Sequence, residues 1–249
     1  MPITLITIPI SHYCEKARWG LDRAELVWRE RAHLQVFHYL PAMWAARSWT
    51  VPVLCHDDGV LCESADILQW IDGQLPADRR LYPQPWADEI AALEETLGDG
   101  LGEDGRLWMY HHLLPHPQLA FRYGLTGTPG WQKASVTLTY PLVAGFIQRR
   151  FAITAQSAAA SLVRVEQTFA DVAHRLSDGR RFLIGDRFTA ADLTFAALCA
   201  PVLLPAEYGV PLPRPDELPG EAGAVVERLR KHPAGRFALR MFTEERRKG

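Results

Sequence analysis

Ser11 and Cys14 stand one helical turn apart near the start of the chain, within Ser11-His12-Tyr13-Cys14-Glu15-Lys16-Ala17-Arg18. The apolar run 3–8 precedes them, so a strand gives way to a turn and then to a helix at this point. A hydroxyl and a thiol are thereby brought to a helix start, where unpaired backbone N–H groups and the helix dipole favour an anion. The chemistry that suits such a place is holding an anion, and a thiolate sets the scale of what is needed. A free thiol has a pKa of about 8.5 and is only a few per cent ionised at neutral pH. Lowering that value by about two units takes about 2.7 kcal/mol in favour of the anion. One hydroxyl hydrogen bond to a charged acceptor contributes about 1.5–3 kcal/mol, and a helix start adds about 0.3–1 kcal/mol. A single serine at the turn therefore suffices in magnitude. Cys14 is the rival nucleophile, Tyr13 and His12 are alternative donors, and a plain helix cap is the reading of Ser11 without chemistry.

Two further pieces accompany this turn. Thr50-Val51-Pro52-Val53-Leu54 puts a proline just before a strand, where the preceding residue's carbonyl and N–H can pair with an extended peptide. Glu63-Ser64 follows ten residues later at a predicted helix start, which Ser64 would cap. The pair offers a carboxylate to an ammonium, and a hydroxyl with free N–H groups to a carboxylate.

The elements that must position these residues follow from periodicity. Residues 3–8 and 27–34 read as strands, the second mixing Val and Trp with charge as an edge strand does. Residues 12–25 and 64–75 have helical spacing. Asp57-Asp58-Gly59 turns a hairpin over 53–62. Residues 36–50 are aromatic and irregular, and no element is assigned there. The stretch 76–85, with prolines at 76, 83 and 85, reads as a linker. Beyond it the pattern is helical from residue 86, with Ile90, Leu93, Leu97 and Leu101 on one face, and again over 132–150, 155–177, 189–200, 222–231 and 234–247. Residues 114–130 and 201–219 read as loops. Thr189 followed by Asp192 is a capping box, which predicts a buried, hydrogen-bonded Asp192 of structural importance.

These residues resemble the glutathione transferase family. The resemblance rests on the S-x-x-C turn at 11–14, Val51-Pro52, Glu63-Ser64 and the box Phe188-Thr189-Ala190-Ala191-Asp192. It is close over 3–76 and returns at 182–199. It implies an α/β N-terminal thioredoxin-like domain (1–76), a linker (77–85) and an all-α helical C-terminal domain (86–249). It further implies that Ser11, at the first place of the turn, stabilises the thiolate of glutathione, with Cys14 as the alternative catalytic residue. Tyr13, Val51, a cis Pro52, Glu63 and Ser64 would bind the tripeptide. Trp108 and Tyr110, with Tyr123 and Trp131 near them, are candidates for lining the pocket of a small hydrophobic electrophile. The same resemblance implies a homodimer. Family members often carry a lysine before Val-Pro for the glycyl carboxylate; here Trp49-Thr50 stands there, which leaves Gln35, His38 or Arg47 for that contact. Two other activities fit the resemblance: a glutathione-dependent thiol-disulfide or quinone reductase using Cys14, and a noncatalytic interaction module of the same fold.

Composition narrows the classes. The 249 residues are 48% hydrophobic and 22% charged, with net charge −2, which gives no electrostatic case for nucleic acid. No apolar run approaches the ~20 residues of a membrane span, and no leader peptide is evident, so a cytoplasmic protein is expected. Cysteines 14, 55, 62 and 199 have neither C-x-x-C nor zinc spacing. His111, His112 and His116 tempt a metal reading, but adjacent helical residues point about 100° apart and no carboxylate pattern completes a site, so no metal is expected. Residues 220–249 carry eight Lys/Arg against four Asp/Glu and read as a solvated helical tail.

Overall fold

The computed structural model describes residues 2–246. Its first half is a four-stranded mixed sheet in the order β2-β1-β3-β4. Strand β1 (Ile3–Thr7) lies inside the sheet, parallel to β2 (Trp28–Ala32) and antiparallel to β3 (Val53–His56), with Leu5 opposite Leu54. A parallel pair needs a crossover, and α1 (His12–Arg23) supplies it. β4 (Gly59–Leu61) completes the hairpin with β3, and β2 is an edge strand as its charges predict.

Helix α3 (Ser64–Gln74) packs on α1 so closely that a Cβ at Gly20 would lie 2.6 Å from Leu68 and 2.9 Å from Ile71. Ser64 is the first residue of α3 rather than its cap. Glu63 holds the cap position in extended backbone and makes no side-chain cap bond. The opposite sheet face is covered by α2 (Tyr39–Ala46), where Ala42 meets Ile6 and Val53. This helix lies in the stretch left unassigned from sequence. Only Ala42 of it is buried, so no apolar stripe announced it.

The second half is helical. α4 (Ala87–Leu97) runs through a π-turn, Gly98–Gly102, into α5 (Glu103–Leu113). α6 (Pro117–Gly124), α7 (Gly130–Arg150) and α8 (Ala155–Arg175) follow. The sequence reading of 114–130 as a loop missed α6, because Pro117 occupies the first helical turn, where its missing N–H costs nothing. α9 (Ala190–Leu198) is buried at all nine positions and forms the centre of the main core. α10 (Ala200–Leu203), α11 (Ala222–Lys231) and α12 (Pro233–Glu245) complete the fold; α10 and a 3-10 turn at Pro215–Glu217 fall within a stretch expected to be irregular. Among the described residues no helix is long and apolar enough to cross a membrane.

Three side-chain systems tie the halves together. Asp72 of α3 accepts from Leu81 N (2.5 Å) and Tyr82 N (3.1 Å), and the Leu81 carbonyl accepts from Ala190 N (2.9 Å), so the stretch read as a linker is pinned to both sides. Lys16 of α1 meets Glu94 of α4 at 2.5 Å in a buried ion pair, with the Tyr82 hydroxyl donating to the other Glu94 oxygen. Arg246 reaches Glu15 (2.7 Å) and Asp22 (2.7 Å) on α1. The charged C-terminal stretch is therefore no solvated tail: Phe237, Met241 and Phe242 of α12 are in the core, and the arginine after it is seated under α1. Residues 247–249 of the predicted last helix lie outside the described residues.

Candidate functional site

A cavity of about 580 Å³ opens between the sheet's turn side and the helical half, and Ser11 lies in its wall. Ser11 is the N-cap of α1, half-buried and in extended backbone (φ −72°, ψ 121°). Its oxygen accepts the Cys14 N–H at 3.4 Å, a long bond. A hydroxyl proton rotates to suit its partner, so this group can turn a donor toward the cavity. Tyr208, also in the cavity wall, donates its hydroxyl to the Ile10 carbonyl at 3.2 Å and steadies the turn from the far side.

The neighbours of Ser11 divide by geometry. Cys14, fully buried, is not in the cavity wall, and burial pushes its thiol up from the ordinary range. One turn into α1, its side chain faces the core and not the cavity. Tyr13 lines the cavity, but its hydroxyl donates to the Gly98 carbonyl at 2.7 Å, inside the π-turn. Burial pushes this phenol up to about 12. A Cβ at Gly102 would overlap the Tyr13 hydroxyl, so the glycine-rich π-turn is what admits the ring. His12 is buried with its Nε2 unpartnered among the described residues, and burial, aided by the Arg106 charge, pushes it down to about 3.

Val51 lies in the same wall, and the Val51–Pro52 peptide is cis. Glu63 and Ser64 open α3 just outside it; the Glu63 carboxylate still acts on both Tyr13 and Lys16 of α1. Burial and the neighbouring Asp66 push the Glu63 carboxyl up. Of the three candidates for a glycyl carboxylate, Gln35 and His38 line the cavity and Arg47 does not. His38 is buried with Nδ1 unpartnered among the described residues, and burial pushes it down to about 4.

The far wall comes from α5, α6 and the segment after α7. Tyr110 and Tyr123 line it. Trp108 does not: it is 2% exposed and packs in the main core, because it faces α5's inner side. Trp131 is 64% exposed and meets Phe37 edge-on outside the cavity. The sequence reading passed over Arg106 and Arg150, which also line the cavity. Arg150 offered no signal, because a basic residue in a helix's last turn is the default there. Among the described residues there is no group of three or more His, Cys, Asp or Glu able to hold a metal ion.

Comparison with known proteins bears on the fold that carries this site. Residues 5–79 match the family described as "Glutathione S-transferase, N-terminal domain". No curated protein sequence matches the chain. Among solved structures, a serine-to-cysteine variant of poplar glutathione transferase F1 superposes with a TM-score of 0.63 at 14% identity, over 99% of this chain and 98% of that one. A glutathione S-transferase from Methylobacterium radiotolerans, in complex with glutathione sulfonate, matches at 0.57 and 21% identity over 96% and 95%. One from Methylobacillus flagellatus with glutathione bound matches at 0.56 and 16% identity over 95% and 98%. At such identities the structural likeness establishes the fold: a thioredoxin-like α/β half followed by a helical half.

Proposed function

We propose, for a chain whose residues 5–79 match the glutathione S-transferase N-terminal domain, the activity of a glutathione transferase: it binds the tripeptide at the start of α1 and directs its thiolate at a small hydrophobic electrophile in the cavity. The Ser11 hydroxyl donates a hydrogen bond to the sulfur and keeps it ionised, the thiol proton passing to solvent. The sulfur then attacks an electrophilic carbon; a C–S bond forms and the leaving group departs with its electron pair. The Val51 backbone pairs with the cysteinyl unit, Glu63 meets the γ-glutamyl ammonium, and Ser64 with the first N–H groups of α3 meets its carboxylate. His38 and Gln35 stand where the glycyl end lies.

The observation that carries this reading is the Ser11 hydroxyl at a helix start in the cavity wall, with Tyr13 committed to Gly98 and Cys14 buried. Replacing Ser11 by Ala is the test, read as conjugation of an aryl halide with glutathione at saturation. The expected loss is about ten- to thirtyfold at neutral pH, the ratio of ionised fractions on the two sides of a two-unit pKa shift. Full activity in that variant contradicts the mechanism. Glutathione binding by calorimetry, read together with turnover, separates the enzyme from a noncatalytic module, which would leave the cleft empty or bind without turnover.

We read the protein as cytoplasmic, supported by its four free cysteines, and as a homodimer. Trp131, Leu138, Leu142 and Phe146 of α7 are exposed at spacings that share one helix face, a surface a second copy would cover. Sedimentation of a monomer at micromolar concentration contradicts the dimer.

A further inference from the structure

Two arginines far apart in sequence approach one aromatic ring in the cavity wall. The Arg106 guanidinium carbon of α5 lies 4.5 Å from the centre of the Phe151 ring, and that of Arg150 lies 5.4 Å from it. Both line the cavity, and the two cations are no more than about 10 Å apart by those distances. Arg106 is also 5.9 Å from the Tyr13 ring, which carries its charge toward the start of α1 where the sulfur is to sit.

The remaining charges around the cavity leave this pair largely uncompensated. The third arginine in the wall, Arg164, is closed by Asp104, which it meets through Nε at 2.9 Å and a terminal nitrogen at 2.5 Å. Glu103 approaches Arg106 only to 3.6 Å, and its side chain is mostly in solvent, so it is a partner that a ligand can displace. Arg150 has no carboxylate partner among the described residues. Two like charges beside one ring repel each other, and an anion placed between them relieves that. Tyr110, Leu107 and Leu113 give the same wall an apolar surface.

We propose that the electrophile taken by this cavity is an organic anion: a carboxylate on an apolar or aromatic body, the carboxylate held by Arg106 and Arg150 and the body resting on Phe151 and Tyr110. The inference rests on the glutathione transferase reading above and names the substrate class of that same site. Guanidinium groups suit the task, since they bind carboxylates through paired N–H donors and stack on aromatic faces.

A matched pair of aryl halides tests it: 4-chloro-3,5-dinitrobenzoate and its neutral methyl ester. In both, the glutathione sulfur displaces chloride, which leaves with the bonding electrons. The readout is the ratio of kcat/KM for acid over ester, each divided by its uncatalysed rate with glutathione. The wild-type ratio is expected to exceed one and to weaken with added salt. Arg106→Gln and Arg150→Gln should each lower it, by about ten- to a hundredfold for the stronger contact. Arg150 is on the surface, so its variant keeps the test informative if Arg106→Gln folds poorly. A ratio at or below one, or one that neither variant changes, overturns the anion site while leaving the transferase intact. Calorimetry of both compounds on the glutathione-saturated protein covers the case of no turnover. Acid binding that weakens in the variants then supports the anion site although the enzyme reading fails, and equal binding of acid and ester overturns it.

Discussion

At the start of α9 the carboxylate of Asp192 fills the helix end. It accepts from Thr189 N at 2.8 Å, from the Thr189 hydroxyl at 2.9 Å and from Leu183 N at 2.7 Å, with both residues wholly buried. At the start of α1 the same local design, a hydroxyl residue followed three positions later by a partner, is left open. Ser11 holds one N–H at 3.4 Å, and the residue in the place of Asp192 is Cys14, whose thiol faces the core. The first helix start is satisfied by its own chain, and its donors have nothing left to offer. The second keeps a hydroxyl and a positive helix end for something that arrives from solvent. Two N-termini of nearly the same sequence form thus differ in whether the third residue onward supplies the anion or a ligand must.

Removing the carboxylate should break the closed end most severely. Asp192→Ala leaves two buried N–H groups and a hydroxyl without a partner, each costing about 1–3 kcal/mol, so a loss of several kcal/mol is expected in urea unfolding. A loss below about 1 kcal/mol would mean that the two helix starts do not differ in this way. The same residue gives the contrast a pH signature. Burial outweighs the three donors and pushes the Asp192 carboxyl up to about 6. A carboxyl raised on folding binds its proton more tightly in the native state, so its contribution is fully present below the unfolded value of about 3.9 and is lost as pH rises through about 6. Wild-type stability should therefore decline between about pH 4 and pH 6 relative to Asp192→Asn, whose side chain does not titrate. Parallel curves for the two proteins contradict the shift.

At the open end the order of effects reverses. Ser11→Ala should cost less than about 1 kcal/mol of stability, because the capping bond it removes is long, while the rate loss of about ten- to thirtyfold falls on catalysis alone. If stability falls by several kcal/mol and the rate does not, Ser11 is a cap like Thr189 and the contrast is lost.

How far the sequence discloses each end follows from the same physics. The Thr189–Asp192 box, the strand over residues 3–8, the 53–62 hairpin and the turn at Ser11 depend on neighbours within a few residues, and all were legible. α2 was not, because a helix with one buried residue carries no periodic stripe. The C-terminal charges read as solvent-facing because the partners of Arg246, Glu15 and Asp22, lie more than two hundred residues away. Arg106 and Arg150 escaped for the same reason: a ring in common is invisible until the chain folds. The tripeptide side of the site is written locally, whereas the electrophile side is assembled from distant segments.

The smallest effect concerns Cys14, the residue that makes the α1 sequence look like a thiol enzyme. Its side chain is wholly buried, outside the cavity wall, and burial pushes its thiol up, so it is a weak nucleophile with no route to a substrate. Cys14→Ala should then cost about 1–2 kcal/mol through lost packing and leave conjugation within about twofold of wild type. Thiol-directed alkylation separates the cases further: Cys55 and Cys62 are only half-buried and should react first, with Cys14 protected until the protein unfolds. Rapid labelling of Cys14 in the native protein, or loss of disulfide reduction in Cys14→Ala while Ser11→Ala retains it, would move the chemistry from the oxygen at the cap to the sulfur one turn further in.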